Sequence, residues 1–168
     1  CTGCSTPVPG TSPFCPHCGQ VVSESAKALV GTLLDNSYHV EALLGEGGMG
    51  AVYRARHRLL GDCVAIKTIR REIAGDPAFV KRFQREGRAA RAFRHANAVT
   101  VHDLRVTPTG LVYMVLEYVE GRTLAEELRA HGPFSPEEAT ALLSPVADAL
   151  DAAHAKGIVH RDLKPDNI

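Results

Sequence analysis

At 168 residues the chain has room for one ordinary domain, or for a small module joined to part of a larger one. A hydrophobic fraction of 45% and a charged fraction of 23% are those of a globular chain and exclude the disordered, collagenous and membrane-spanning classes. Basic and acidic side chains both number 19, which excludes the broad positive field of a general nucleic-acid binder, so no nucleic acid is expected as a partner.

No run approaches 18 consecutive apolar residues, and the opening CTGCSTPVPG lacks the charged-then-apolar order of a signal segment. These residues are therefore expected to be cytoplasmic and to make no membrane contact, with a downstream span left open. The start at Cys1 and the end at Ile168 are expected to be cuts from a longer chain.

Residues 1–20 carry two cysteine pairs, Cys1-x2-Cys4 and Cys15-x2-Cys18. A two-residue gap lets a tight turn aim both thiolates at one ion, and two such turns complete the tetrahedral sulfur shell of a structural zinc site. Pro7, Pro9, Pro13 and Pro16 argue against a helix here, and the segment is too short to bury a core, so metal binding would be its main source of stability. Two disulfides or redox work, disfavoured by the expected reducing compartment, and an unstructured tail are the alternatives. His17, between two cysteines, is expected to be exposed. Cys63 is expected to be a structural thiol. The pattern resembles the zinc-ribbon modules of many bacterial proteins, over residues 1–20 only.

Residues 21–37 lack a sustained period and are expected to be a linker. A strand over Tyr38–Leu44 then runs into Gly45-Glu46-Gly47-Gly48-Met49-Gly50-Ala51-Val52. The glycines allow backbone to approach phosphates, and the valine on the returning strand can cover a base. No Lys-Ser or Lys-Thr follows as a Walker loop requires, and the continuation Val52-Tyr53-Arg54-Ala55 suits a strand rather than the helix of a dinucleotide fold. A hairpin lid is expected.

Val64-Ala65-Ile66-Lys67 is a short strand that ends in a cation able to reach those phosphates. Residues 77–93 have helical apolar spacing at Phe79, Val80, Phe83, Ala90 and Phe93, which predicts Glu86 on the inward side and paired with Lys67; a solvated surface carboxylate is the alternative. Gly87 is expected to weaken this helix. Strands are predicted over 99–106 and 111–117, followed by Glu117-Tyr118-Val119-Glu120-Gly121. Ser135-Pro136-Glu137-Glu138 is a capping box opening a helix to about Ala155, with Ala139, Leu142, Leu143, Val146, Leu150 and Ala153 toward a core. Beyond Lys156-Gly157, His160-Arg161-Asp162-Leu163-Lys164-Pro165-Asp166-Asn167 places a hydroxyl-orienting carboxylate five residues before an amide that can ligate magnesium, with Lys164 able to neutralise phosphoryl charge. His160 is expected to hold the loop backbone.

Over residues 38–168 the motifs GEGGMGAV, VAIK, RFQREGRAA, VLEYVEG and HRDLKPDN resemble those of the bacterial eukaryotic-like Ser/Thr protein kinases. The resemblance implies an α+β fold, with an N-lobe of antiparallel sheet and one helix over about 38–116, a hinge over about 117–121 and part of a helical C-lobe over 122–168. It implies ATP, magnesium and protein substrates bearing Ser or Thr, with autophosphorylation and homodimerisation as further expectations. ATP is assigned to Gly45, Glu46, Gly47, Gly48, Gly50, Val52, Ala65, Lys67, Leu116 as gatekeeper, Glu117 and Val119 as hinge contacts, and Asn167. Catalysis is assigned to Asp162, Lys164, Lys67 and Glu86, magnesium to Asn167, a phosphorylated loop to Arg161, and zinc to Cys1, Cys4, Cys15 and Cys18. No Asp-Phe-Gly follows within these residues, so this stretch by itself is expected to be inactive. An ATP-binding pseudokinase and a zinc-ribbon scaffold are the alternatives.

Overall fold

The computed structural model describes residues 1, 4–8, 15, 17, 26–48, 50–70, 74, 77–108 and 110–168. The chain divides into two units, Cys1–Arg88 with Val101–Tyr118, and Ala89–Thr100 with Val119–Ile168.

The first unit is built on strands β1 (Leu33–Leu34), β2 (Tyr38–Gly47), β3 (Gly50–His57), β4 (Cys63–Ile69), β5 (Val101–Val106) and β6 (Val112–Glu117). They form one antiparallel sheet in the order β1-β2-β3-β4-β6-β5. Alternation along each strand sorts the side chains onto two faces. Val40, Tyr53, Ala55, Val64, Ile66, Tyr113 and Val115 form the core on one of them. On the other, Ile69, Val112 and Met114 receive Phe79, Val80 and Phe83 from helix α1 (Pro77–Ala92).

The segment before Tyr38 differs from the expected linker. Residues Ala26–Leu29 make a 3-10 turn, β1 pairs with β2, and Leu29 and Leu34 are buried in the core. Two leucines removed from water at about 1.5–3 kcal/mol each are enough to hold so short a segment down. Asp35 and Asn36, both near φ 53°, turn the chain back, and Tyr113 donates a 2.9 Å hydrogen bond to Asp35 Oδ2 from the sheet. Burial, reinforced by that bond, pushes the Tyr113 phenol well above its ordinary value. Arg105 pairs with Asp103 at 2.8 Å and lies over the Tyr38 ring.

The second unit contains α2 (Leu124–His131) and α3 (Pro136–His154). Ser135 and Glu138 make the expected reciprocal cap, with Glu138 N bonded to Ser135 Oγ at 3.2 Å and Ser135 N to Glu138 Oε2 at 2.8 Å. Helix α2 was not foreseen, although Thr123 and Glu126 carry the same cap at the same spacing. On α3, Ala149 and Ala153 are buried, whereas Leu142 and Leu143, expected toward a core, are each 44% exposed. Among the described residues of this unit nothing covers that flank. Gly157, at φ 71°, ends the helix as expected. No helix among the described residues is long and apolar enough to cross a membrane.

Candidate functional site

The glycine segment forms the expected hairpin: Gly45 faces Val52, Glu46 faces Ala51 and Gly47 faces Gly50 across β2 and β3. Its glycines answer to two different causes. A Cβ at Gly50 would lie 1.9 Å from the Thr68 carbonyl oxygen, so this glycine exists because the β4 backbone passes against it. Gly45, Gly47 and Gly48 have nothing within 4 Å of the same position and are exposed. Among the described residues nothing requires them to be small, and their backbone is open to the approach of an outside group. Glu46 reaches Arg70 at the end of β4, at 3.6 Å.

Register brings four of the expected nucleotide residues onto one face of the sheet. Lys67 stands opposite both Val52 and Met114, and Ala65 opposite Leu116. Directly opposed residues share a face and so do residues two apart, so Val52, Ala65, Lys67 and Leu116 form a continuous patch. Met114, absent from the sequence assignment, sits in the same row as Lys67 and packs against the α1 cluster. The period-2 pattern of Val112-Tyr113-Met114-Val115-Leu116 was the signal that could have found it.

Helix α1 lies on this face too, but Glu86 is not on its inward side. Phe83 and Gly87 are buried and Glu86 is exposed. The apolar stripe runs 79, 83, 87 in steps of four, and three residues past Phe83 lies one flank of it rather than its centre. No ion pair joins Lys67 to Glu86 in this structure, where Lys67 is also exposed. Gly87 has a packing role instead: a Cβ there would come within 3.0 Å of the Leu104 side chain, so the glycine lets α1 settle close to β5. Glu117 ends β6, and the chain passes from the first unit to the second between Tyr118 and Val119, the latter 62% exposed.

The second unit holds the other expected group. Asn167 Nδ2 donates to the Asp162 carbonyl at 2.7 Å and to Asp162 Oδ2 at 3.1 Å, and Lys164 Nζ lies 3.5 Å from Asp162 Oδ1. The Asn167 hydrogen bond first, then the Lys164 charge, hold the Asp162 carboxyl below the ordinary aspartate range. Asp162 is therefore ionised at neutral pH and suited to accept and orient a hydroxyl. With its nitrogen committed to Asp162, Asn167 has its amide oxygen left for a cation. A 3-10 turn over Pro165–Asn167 fixes the amide, and Leu124 N, at the start of α2, bonds the Ile168 carbonyl at 2.8 Å. Arg161 has φ 64°, an uncommon conformation for a residue with a Cβ, placed beside the Asp162 carboxylate. His160, expected to brace the loop, is exposed.

At the N-terminus the Sγ atoms of Cys1, Cys4 and Cys15 all lie within 4.8 Å of one another, with Cys4 and Cys15 at 3.5 Å. Cys4 Sγ also lies 3.2 Å from Thr6 Oγ1, and Cys15 is 2% exposed. Sulfurs held at about 2.3 Å from one tetrahedral zinc stand roughly 3.8 Å apart, so the cluster is able to chelate a metal, whereas a disulfide needs about 2.05 Å. Ser5, at φ 57°, closes the first turn by donating from its N to the Cys1 carbonyl at 2.9 Å. Cys18 lies outside the described residues. His17 is exposed, as expected, and Cys63 is half-buried in β4.

Comparison with known proteins adds to this geometry. The family model described as "Protein kinase domain" matches residues 38–168. Serine/threonine-protein kinase pkn3 of Myxococcus xanthus is 41% identical over 139 residues, which make up 83% of this chain and 25% of that protein. Serine/threonine-protein kinase PrkC of Bacillus subtilis is 41% identical over 140 residues, 83% of this chain and 22% of that one. Among solved structures, the PknI kinase domain of Mycobacterium tuberculosis superposes with a TM-score of 0.71 at 32% identity, over 82% of this chain and 55% of that one. The chain thus spans about a quarter of the length of the curated relatives it matches.

Proposed function

Because the chain belongs to the protein kinase domain family, we propose that the complete protein transfers the γ-phosphoryl group of ATP to Ser and Thr hydroxyls of proteins. The observation that carries this reading is the Asp162 cluster, an exposed carboxylate kept ionised by Asn167 and Lys164. Asp162 accepts the hydrogen bond of the substrate hydroxyl and aims its oxygen at phosphorus, taking up the proton as the new bond to phosphorus forms and the γ-phosphorus–oxygen bond breaks to release ADP. Lys164 draws off charge that develops on the transferred group. In the first unit, the open backbone of Gly45–Gly48 and the Lys67 ammonium receive the phosphates. Val52 and Ala65 cover the base, Leu116 bounds its pocket, and the backbone at Glu117 and Val119 meets its polar edge. Lys67 takes Glu86 as its partner when α1 turns that carboxylate inward. Asn167 would hold magnesium through its amide oxygen, an ion that supplies charge neutralisation to the phosphates.

The cysteine cluster has a separate task. Cys1, Cys4 and Cys15, with Cys18, would hold one zinc ion, whose thiolate bonds supply the stability that so short a segment cannot draw from a core. The protein works in the cytoplasm, and a second copy of the chain is among its substrates.

A phosphotransfer assay on the full-length protein with magnesium-ATP and a Ser/Thr-bearing substrate tests the catalytic half. Asp162→Asn is expected to keep nucleotide affinity and to lose at least about a hundredfold in kcat, close to 2.7 kcal/mol of transition-state stabilisation. Near-normal turnover of that variant would overturn the assignment. Elemental analysis after purification under reducing conditions is expected to give about one zinc per chain; a folded but metal-free cysteine segment would remove the second task.

A further inference from the structure

Helix α1 reads PAFVKRFQREGRAARA, with five cations, Lys81, Arg82, Arg85, Arg88 and Arg91, against the single carboxylate of Glu86. Its apolar stripe is spent on the sheet, where Phe79, Val80 and Phe83 pack with Ile69, Val112 and Leu104. Lys81, Arg85 and Arg88 follow one another by four and three residues and so form a single ridge on the opposite side, with Arg82 beside it, all exposed. Like charges at these spacings cost the helix a few tenths of a kcal/mol per pair. Elsewhere the sequence avoids that cost by pairing: Glu41 bonds both Arg54 and Arg56, and Arg122 bonds Glu127. Among the described residues, no carboxylate pairs with Lys81, Arg85 or Arg88.

We propose that this ridge is a docking surface for a short acidic protein segment, one that presents Asp or Glu side chains at helical-turn intervals. Magnitude and shape select that partner over other polyanions. From Lys81 to Arg88 the ridge is roughly 10 Å long at 1.5 Å per residue. A nucleic acid held at ordinary salt draws on more phosphate contacts than four cations supply, and a membrane surface gives only about 1 kcal/mol per cation. Gln84 and Ala89 border the cations, and the nearby Phe79 ring is covered by the Arg82 guanidinium, 5.4 Å from its centroid, so the ridge offers no free ring for base stacking and no apolar wedge for lipid. Outside α1 the chain has 14 cations against 18 carboxylates, α1 taking five of the 19 and one of the 19. The rest of the chain thus holds no surplus of cations to meet a wider polyanion, whereas a short segment needs the ridge alone. Guanidinium groups then form two-point contacts with carboxylates, which fix register as well as affinity.

The test titrates the full-length protein into a fluorescein-labelled helical peptide with Glu at each turn of one face, followed by anisotropy at about 50 and 150 mM salt. Saturable binding that weakens with salt is expected. The triple variant Lys81→Glu/Arg85→Glu/Arg88→Glu should bind at least about tenfold more weakly and the triple Gln variant should fall between, while Arg58→Glu, on an exposed turn, should bind as the wild type does. Circular dichroism identifies which variants remain folded. If charge reversal unfolds the protein, the Gln variant and a peptide with Lys in place of Glu, for which no binding is expected, decide the matter on folded protein. The proposal is overturned by unchanged peptide binding in either triple variant, by binding of the Lys peptide, or by tighter binding of duplex DNA or phosphatidylserine vesicles than of the acidic peptide at matched charge.

Discussion

The two groups of proposed functional residues, one in each unit, are held in place by different means. In the first unit, Val52, Ala65, Lys67 and Leu116 share a face because backbone hydrogen bonds fix the register of β3, β4 and β6, whatever the charge of the side chains. In the second, Asp162 is positioned by bonds from the side chains of Asn167 and Lys164, all three of them exposed. A register tolerates changes of side chain and fails only when the backbone path is blocked. A polar cluster in solvent keeps its backbone through such changes but loses its chemistry with one atom or one proton.

The largest expected effect lies on the register side. Gly50→Ala places a methyl group in the path of the Thr68 carbonyl, which is backbone and cannot swing aside, and should cost at least about 3 kcal/mol as β3 and β4 are pushed apart. Urea denaturation measures it, and a loss below about 1 kcal/mol would show that the strands are not so tightly set. The open positions Gly45 and Gly47 should tolerate alanine in the same assay.

On the polar side the sensitive variable is protonation. The Asp162 carboxyl is held below the ordinary 3.8, so its bonds to Asn167 and Lys164 persist above that pH and are lost as pH falls through the lower, folded value. Asn167→Ala removes the first cause of the shift and should move the Asp162 titration up toward 3.8, as followed by NMR of its side-chain carbonyl carbon; a titration that stays put would assign the shift elsewhere. A smaller effect is expected where a polar bond ties down the edge of the sheet. Tyr113→Phe leaves Asp35 without its buried donor and should cost about 1–2 kcal/mol, read as a drop of a few degrees in Tm. Smallest of all is Gly87→Ala, where the obstacle is the movable end of Leu104 and the helix gains from alanine; a change within about 1 kcal/mol, on the stabilising side, is expected in thermal unfolding.

How much of this was legible beforehand follows the same division. The hairpin lid, the Lys67 strand, the α3 cap and the Asp162 loop all come from short-range patterns, and each stands where its motif put it. Thr123-x-x-Glu126 was as legible as Ser135-x-x-Glu138 but stood two residues after a glycine, with only eight helical residues to follow. Glu86 is exposed here rather than inward because a three-residue step from Phe83 marks the edge of a helical face as readily as its centre. Gly50 and Gly87 looked like conformational or weakening glycines, because the atoms that crowd them, on Thr68 and Leu104, are 18 and 17 residues away along the chain. The packing of residues 26–34 left no period to read, since a 3-10 turn and a two-residue strand are too short to have one.

That last segment has a practical consequence. The family match begins at Tyr38, yet the core beneath Tyr38, Val40, Tyr53 and Ile66 is roofed by Leu29 and Leu34, which precede it. A protein begun at residue 38 would keep every kinase-type sequence motif and still present a greasy, unroofed sheet with the β2 edge bare. Such a surface finds its cover in other molecules, so the shortened protein would be sticky in proportion to its concentration, and its handling in solution would be governed by the missing dozen residues rather than by the motifs that define it.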